Sequence, residues 1–276
     1  MTRPLPAYEL YAIRYATREA RRAEHFIGGD PHEGPMAMDY YVWVAVSPER
    51  VVLIDLGFSA ETAAKRRRQF LGCPIEALRL LDIQPEAVRD VILTHLHYDH
   101  AGNFALLPAA EFHLQEPEMQ FATGRHIRHK YFSHGFEVED IVSVVRLNYA
   151  KRVRFYNGPA EVAPGLMLEP APGHTVGQQT VRVHTRRGWV VLASDAAHYY
   201  ENIGRGRPYP AVFSAADVLD TYEKLLSMAS GLEHIIPGHD PLVMQVYPAA
   251  RPGLEGKIAR LDVAPKEIAF GRPRRG

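Results

Sequence analysis

The sequence predicts an α/β fold in which two β-sheets pack together and helices lie outside them. Two observations predict it. Apolar runs of strand length occur in both halves of the chain and are followed by helix-type residues and then by residues of metal-binding type. No internal repeat and no linker long enough to divide the chain is visible, so we expect one domain over residues 1–250 and an extension over 251–276.

Tyr8 to Tyr15 alternates apolar and polar residues, as a strand does, and Arg18 to Asp30 is a charged, Gly-ended connection. Tyr40 to Val46 and Arg50 to Asp55 read as a buried hairpin around Ser47-Pro48-Glu49. Ser59 to Phe70, rich in Ala, Lys and Arg, favours a helix closed by Gly72. Pro85 marks a helix start before the buried strand Val88 to Leu93.

Glu111 to Tyr156 is partly helical in character, and its aromatic residues could wall a substrate pocket. Its histidines, His113, His126, His129 and His134, lack ligand spacing and read as surface or packing residues. Val153 to Tyr156, Met167 to Glu169 and Thr180 to Val183 read as strands of a second sheet. Trp189 to Ala193 is a further apolar run. Ser214 is an N-cap for a helix with apolar positions from Val218 to Ala229 and Gly231 at its end. Ile235 and Ile236 form a short strand, and GRPRRG at 271–276 reads as a mobile tail.

Composition narrows the function classes. Lys plus Arg and Asp plus Glu are 32 each, so no overall field favours nucleic acid. No run of 18 apolar residues and no signal-type N-terminus occurs, which points to no membrane partner and to a cytoplasmic location. Cys73 is alone and reads as a packing residue.

The chemistry lies in VILTHLHYDHAGN, residues 91–103, where His95, His97, Asp99 and His100 fall within six positions directly after an apolar run. Imidazole and carboxylate suit zinc and its neighbours, and this spacing in a loop lets two pairs point at two adjacent ions. Three more apolar runs end in ligand-type residues: His174 in APGHTVGQQ, Asp195 in VLASDAA and His239 in IIPGHDP. A Gly before His174 and before His239 lets the backbone turn sharply so that each ring can face inward.

With Asp55-x-Gly57, THLHYDHAGN, PGHTVG, SDAAHYYEN and PGHD in this order, the chain resembles the metallo-β-lactamase fold superfamily over roughly residues 40–245. Within it the chain is most similar to the N-acyl homoserine lactonase group. The resemblance implies a four-layer αββα sandwich with mixed sheets. It implies that His95, His97 and His174 hold one divalent ion, that Asp99, His100 and His239 hold another, and that Asp195 bridges them. Zn is expected first, with Mn, Fe or Co as alternatives. It also implies that Asp55 orients a ligating imidazole through its other nitrogen, against the alternative of an acid capping a turn.

A water between two such ions loses its proton near neutral pH, its pKa falling from about 15.7 to about 7, and the bridging hydroxide attacks a carbonyl carbon. Asp99 is the expected proton acceptor. Lactonases of this group carry a Tyr three residues after the bridging Asp, whereas that position here is His198, followed by Tyr199. His198 is therefore the expected substrate-facing group, with Tyr199 as the other candidate donor; no residue is assigned to the rest of the substrate.

The expected function is a dinuclear metal-dependent lactonase acting on a small cyclic ester, with N-acyl homoserine lactones among the candidates. Thioester hydrolysis of the glyoxalase II type is the rival within the fold, though no basic glutathione-binding cluster is visible in the last third. A non-catalytic metal-binding module is the rival outside it. The partner is a small molecule, and a homodimer is compatible with the sequence.

Overall fold

The computed structural model describes residues 4–266, so the tail expected at 271–276 lies outside the described residues. Strand β1 (Glu9–Arg18) pairs antiparallel with β2 (Met38–Ser47), which turns back into β3 (Arg50–Ile54) as the expected hairpin. Most of β2 is buried, because both faces of its sheet are covered. Tyr41, Trp43 and Ala45 join the core shared with the second sheet, whereas Tyr40, Val42 and Val44 join a separate core on the opposite face. The two-residue period is present but hidden, since both sets are apolar.

Helix α1 (Ala60–Arg66) starts on Ser59, whose Oγ accepts the Thr62 N–H. It is shorter than the helix expected over Ser59 to Phe70. Arg67 turns left-handed at φ 55°, its N–H closing on the Ala63 and Ala64 carbonyls, and β4 (Gln69–Phe70) then pairs with the end of β1. Pairing of Phe70 opposite Ala16 replaces the last helical turn and leaves no role for Gly72 as a cap.

Strand β5 (Asp90–Ile92) lies parallel to β3, and β6 (Glu111–Gln115) lies parallel to β5. Three helices follow, α2 (Glu116–Ala122), α3 (Lys130–Ser133) and α4 (Val138–Tyr149), before β7 (Val153–Tyr156). The sequence places Val153–Tyr156 in the second sheet, and this is corrected: β7 pairs parallel with β6, Val153 opposite Phe112. A helical crossover of this length returns the chain to the starting edge of the same sheet, which makes the next strand parallel.

The second sheet is built from β8 (Ala160–Ala163), β9 (Leu166–Pro170), β10 (Gln179–Thr185) and β11 (Gly188–Ser194), each antiparallel to the next. After α5 (Tyr200–Arg205) and α6 (Ala215–Met228), β12 (Ile235–Pro237) joins β11 in parallel. Helix α6 starts as expected on Ser214, whose Oγ accepts the Asp217 N–H at 3.2 Å, and it buries Val218, Tyr222 and Leu225. Following α7 (Leu242–Val246), β13 (Ile258–Arg260) pairs antiparallel with β1, so residues of the expected extension form an edge strand whose Ile258 is buried.

The first sheet runs β13-β1-β2-β3-β5-β6-β7 with β4 on β1, and the second runs β12-β11-β10-β9-β8. They pack as the two inner layers of an αββα sandwich. Chain segments leaving the C-terminal ends of β3, β5, β11 and β12 meet at one edge of it, a common place for a site in folds with parallel strands. Among the described residues no helix is long and apolar enough to cross a membrane.

Candidate metal centre

Six of the seven expected ligands follow strands directly: His95, His97, Asp99 and His100 after β5, Asp195 after β11 and His239 after β12. His174 lies in the bend between β9 and β10. The structure brings all seven together. Ligand atoms of His95, His97 and His174 lie within 4.8 Å of one another, and so do those of Asp99, His100, Asp195 and His239. Gly173 takes φ 132°, the turn expected before His174. Gly238 is needed for a different reason: a Cβ there would stand 2.7 Å from the Ser194 carbonyl and 2.8 Å from Asp195 Oδ1.

Hydrogen bonds to the outer ring nitrogens aim several imidazoles inward. His174 Nδ1 donates to the Ala211 carbonyl at 2.6 Å and His239 Nδ1 to the Asp39 carbonyl at 2.8 Å, leaving each Nε2 free to act as a ligand. His100 Nδ1 donates to Asp55 Oδ2 at 2.7 Å. Asp55 also accepts the Thr94 N–H at 2.7 Å and its hydroxyl at 2.8 Å while sitting at φ 62°, so it braces an imidazole and caps a turn at once. His97 presents Nδ1, which is 2.8 Å from His174 Nε2.

The unpartnered atoms test whether cations fit here. His95 Nε2, His100 Nε2 and Asp195 Oδ1 are buried without a hydrogen-bond partner. His100 Nε2 and His239 Nε2 each stand 3.1 Å from Asp195 Oδ1. The His100 contact lacks hydrogen-bond geometry, and although His239 Nε2 meets Asp195 Oδ2 at 3.1 Å, His95 Nε2, His100 Nε2 and Asp195 Oδ1 are left without a partner. Buried polar atoms left this way are costly unless something binds them, and a divalent ion with nitrogen and oxygen ligands suits the donor set.

The field agrees. Burial, reinforced by neighbouring imidazoles, holds His95 and His97 well below the usual histidine pKa, hence neutral as ligation requires. Burial also favours neutral His100 and His239, but the carboxylates around them outweigh it and raise both. For Asp195, burial is overcome by His239, His100 and His198, and the carboxyl stays well below its usual range.

His198 and Tyr199 part company. His198 lines the cavity, its Nε2 3.0 Å from Asp195 Oδ2 and its ring stacked on Tyr209 at 3.5 Å between centroids. Burial first, against the pull of Asp195, lowers its pKa to about 3. A ring nitrogen of His198 also lies within 4.8 Å of the ligand atoms of His174 and Asp195. Tyr199, expected as a second donor, is corrected: its hydroxyl donates to the Ala37 carbonyl at 3.0 Å and meets His25, and the residue does not line the cavity. The backbone enters α5 at Tyr199, and that turns its ring into the outer core.

A cavity of roughly 680 Å³ opens above the cluster. Phe121, Tyr131 and Phe132 form part of its wall, as expected of the 111–156 segment, and His134 joins them. His113 instead meets Asp90 and Tyr156, His126 packs on Phe213, and His129 is exposed. Cys73 is half-buried against the outer core.

Sequence reasoning missed two residues near the site. Tyr209 donates to the Asp195 carbonyl, and no spacing marks it. Glu118, fully buried, accepts the Leu96 N–H at 3.0 Å, the Thr175 hydroxyl at 2.6 Å and the Gly177 N–H at 3.1 Å, tying the turn of His95 and His97 to that of His174. In sequence it looks like an ordinary acid in a helix's first turn.

Residues 37–239 match the family model described as the metallo-beta-lactamase superfamily. An N-acyl homoserine lactonase of a Bacillus species is 26% identical over 224 residues, 75% of this chain and 80% of that protein. A probable metallo-hydrolase of Mycobacterium tuberculosis is 23% identical over 247 residues, 80% and 77% of the two chains. The crystal structure of a quorum-quenching N-acyl homoserine lactone lactonase superposes with a TM-score of 0.71 at 22% identity, covering 87% of this chain and 94% of that one, a likeness of fold.

Proposed function

The chain belongs to the metallo-beta-lactamase superfamily, and on that premise we propose that it is a hydrolase opening a small cyclic ester at two divalent ions, zinc foremost. N-acyl homoserine lactones, the substrates named for its Bacillus relative, are the first candidates. The observation that carries the reading is the shared carboxylate: Asp195 stands beside His174 on one side and His100 and His239 on the other, with Oδ1 unpartnered. Structural zinc sites are closed by four ligands, usually with Cys. Seven donors for two ions, none of them Cys, leave positions open toward the cavity.

In this reading His95, His97 and His174 would hold one ion and Asp99, His100 and His239 the other, with Asp195 available to both. When bound, the ions supply Lewis acidity toward a carbonyl oxygen and lower the pKa of water to about 7. The chain's own residues orient and receive. Asp55 fixes the His100 ring, and Asp99, which lines the cavity, takes the proton released as water adds to the carbonyl. His198 faces the substrate and steadies Asp195 through Nε2. Phe121 and Phe132 shield the ester from bulk water. The single free cysteine fits a reducing, cytoplasmic setting.

The test is turnover of a lactone series by the purified protein with and without a chelator. Ring opening abolished by the chelator and restored by zinc is the expected result. A metal-replete preparation inert to lactones and active on thioesters would replace the substrate assignment.

A further inference from the structure

One cation in the cavity wall is only partly engaged by its neighbours. Because α1 stops at Arg66 and Arg67 turns left-handed, Arg68 leaves the helix direction and lines the cavity beside His97 and Asp99. Its Nε donates to the Tyr98 hydroxyl at 3.0 Å, with its guanidinium carbon 6.0 Å from the Tyr98 ring and 5.9 Å from the Tyr40 ring. Tyr40 in turn stands 5.2 Å from the His239 ring, so Arg68 is one side chain from the metal cluster.

Its two terminal nitrogens have no hydrogen-bond or ion-pair partner among the described residues. Two neighbouring arginines are paired: Arg18 meets Glu24 at 2.9 Å, and Arg66 meets Glu137 at 2.8 Å. Lys130, on the same wall, likewise lacks a carboxylate partner among the described residues. His134, which lines the same cavity, is held below its usual pKa, first by burial and then by the charges of Arg66, Arg68 and Lys130. With Arg18 paired to Glu24, the other carboxylates of the cavity lining, Asp99 and Asp195, belong to the proposed ligand set, so neither Arg68 nor Lys130 has a carboxylate of its own there. A half-buried guanidinium with its fork unfilled is suited to a bidentate carboxylate.

We propose that Arg68, with Lys130 lining the same cavity, forms an anion subsite, and that the natural substrate is an ester or lactone carrying a carboxylate beside the bond that is cleaved. This rests on the hydrolase reading above and narrows its substrate class to anionic esters, setting aside the neutral N-acyl homoserine lactones named there first, since a neutral acyl chain would leave the subsite unused.

Two measurements on the metal-loaded full chain separate the claims. The first compares kcat/KM for γ-butyrolactone and for the same ring bearing a carboxylate, 5-oxotetrahydrofuran-2-carboxylate. The wild type is expected to favour the anionic ring on the order of tenfold, mainly through KM. Arg68→Gln collapses that ratio and Arg68→Lys retains part of it. The second measures by calorimetry the binding of glutarate and of butyrate, which each offer one carboxylate to the metals while only glutarate offers a second to Arg68. The glutarate advantage is expected in the wild type and lost in Arg68→Gln. If that advantage is absent, or survives Arg68→Gln, the subsite is overturned whatever the rates. If the advantage behaves as expected but neither lactone is opened, the subsite stands and the lactonase reading falls.

Discussion

Asp55 Oδ2 lies 2.7 Å from His100 Nδ1, and the same carboxylate accepts both the N–H and the hydroxyl of Thr94, so one buried acid fixes an imidazole and the turn that leads to it. Asp55→Asn keeps the shape and loses the charge that favours this tautomer. Metal affinity, read by competition with a chromophoric chelator, should fall roughly 10- to 100-fold. Unchanged affinity would mean that Asp55 serves only the turn.

Tyr199 and Tyr209 make a discriminating pair. Tyr199→Phe removes a hydrogen bond to the Ala37 carbonyl, away from the cavity, and should cost about 1 kcal/mol of stability in denaturant unfolding with kcat/KM within about twofold. Tyr209→Phe removes the donor to the Asp195 carbonyl and should lower kcat/KM about tenfold, the rate equivalent of one hydrogen bond. The reverse order of effects on activity would mean that Tyr199, and not Tyr209, serves the reaction.

Gly177 cannot carry a side chain as the turn now stands: a Cβ would lie 2.0 Å from the Glu118 nitrogen and 2.4 Å from its Cα. Gly177→Ala should destabilise the fold by about 3 kcal/mol or more, because backbone must move. It should also loosen metal binding, since the displaced turn carries His174. Thermal unfolding and metal content together check this, and a stable variant with full metal content would contradict it.

Glu118 predicts a pH dependence. Burial raises its pKa to about 6, against hydrogen bonds from Thr175, Leu96 and Gly177 that lower it, from an ordinary value of 4.5. A carboxyl whose folded pKa is raised contributes its full stability below the unfolded value and loses it as pH rises through the folded one. The wild type should therefore lose about 2 kcal/mol relative to Glu118→Gln as pH climbs from 4.5 to above 6. Denaturant midpoints of the two proteins across that window read the difference, and parallel curves would refute it.

The ligand cluster was legible because its chemistry is local: His95, His97, Asp99 and His100 need only a strand before them and a turn beneath them. Helix α6 was legible for the same reason, with its cap and apolar stripe written consecutively. What was not legible depends on distant partners. Val153–Tyr156 reads as a strand, but which sheet receives it is decided by the crossover of α2, α3 and α4. The left-handed turn at Arg67 has no glycine to announce it, and that turn is what delivers Arg68 to the cavity. The directions of Tyr199 and Tyr209 follow from how the chain enters and leaves α5, which the motif SDAAHYYEN does not encode.

The central claim is that the two clusters form one site for two ions joined by Asp195. Titration of metal-stripped protein with zinc, followed by calorimetry and elemental analysis, tests it most directly. Saturation at two ions per chain is expected in the wild type, with weakened binding of both ions in Asp195→Ala. Saturation at one ion, or an Asp195→Ala protein that binds two as tightly as the wild type, would contradict it.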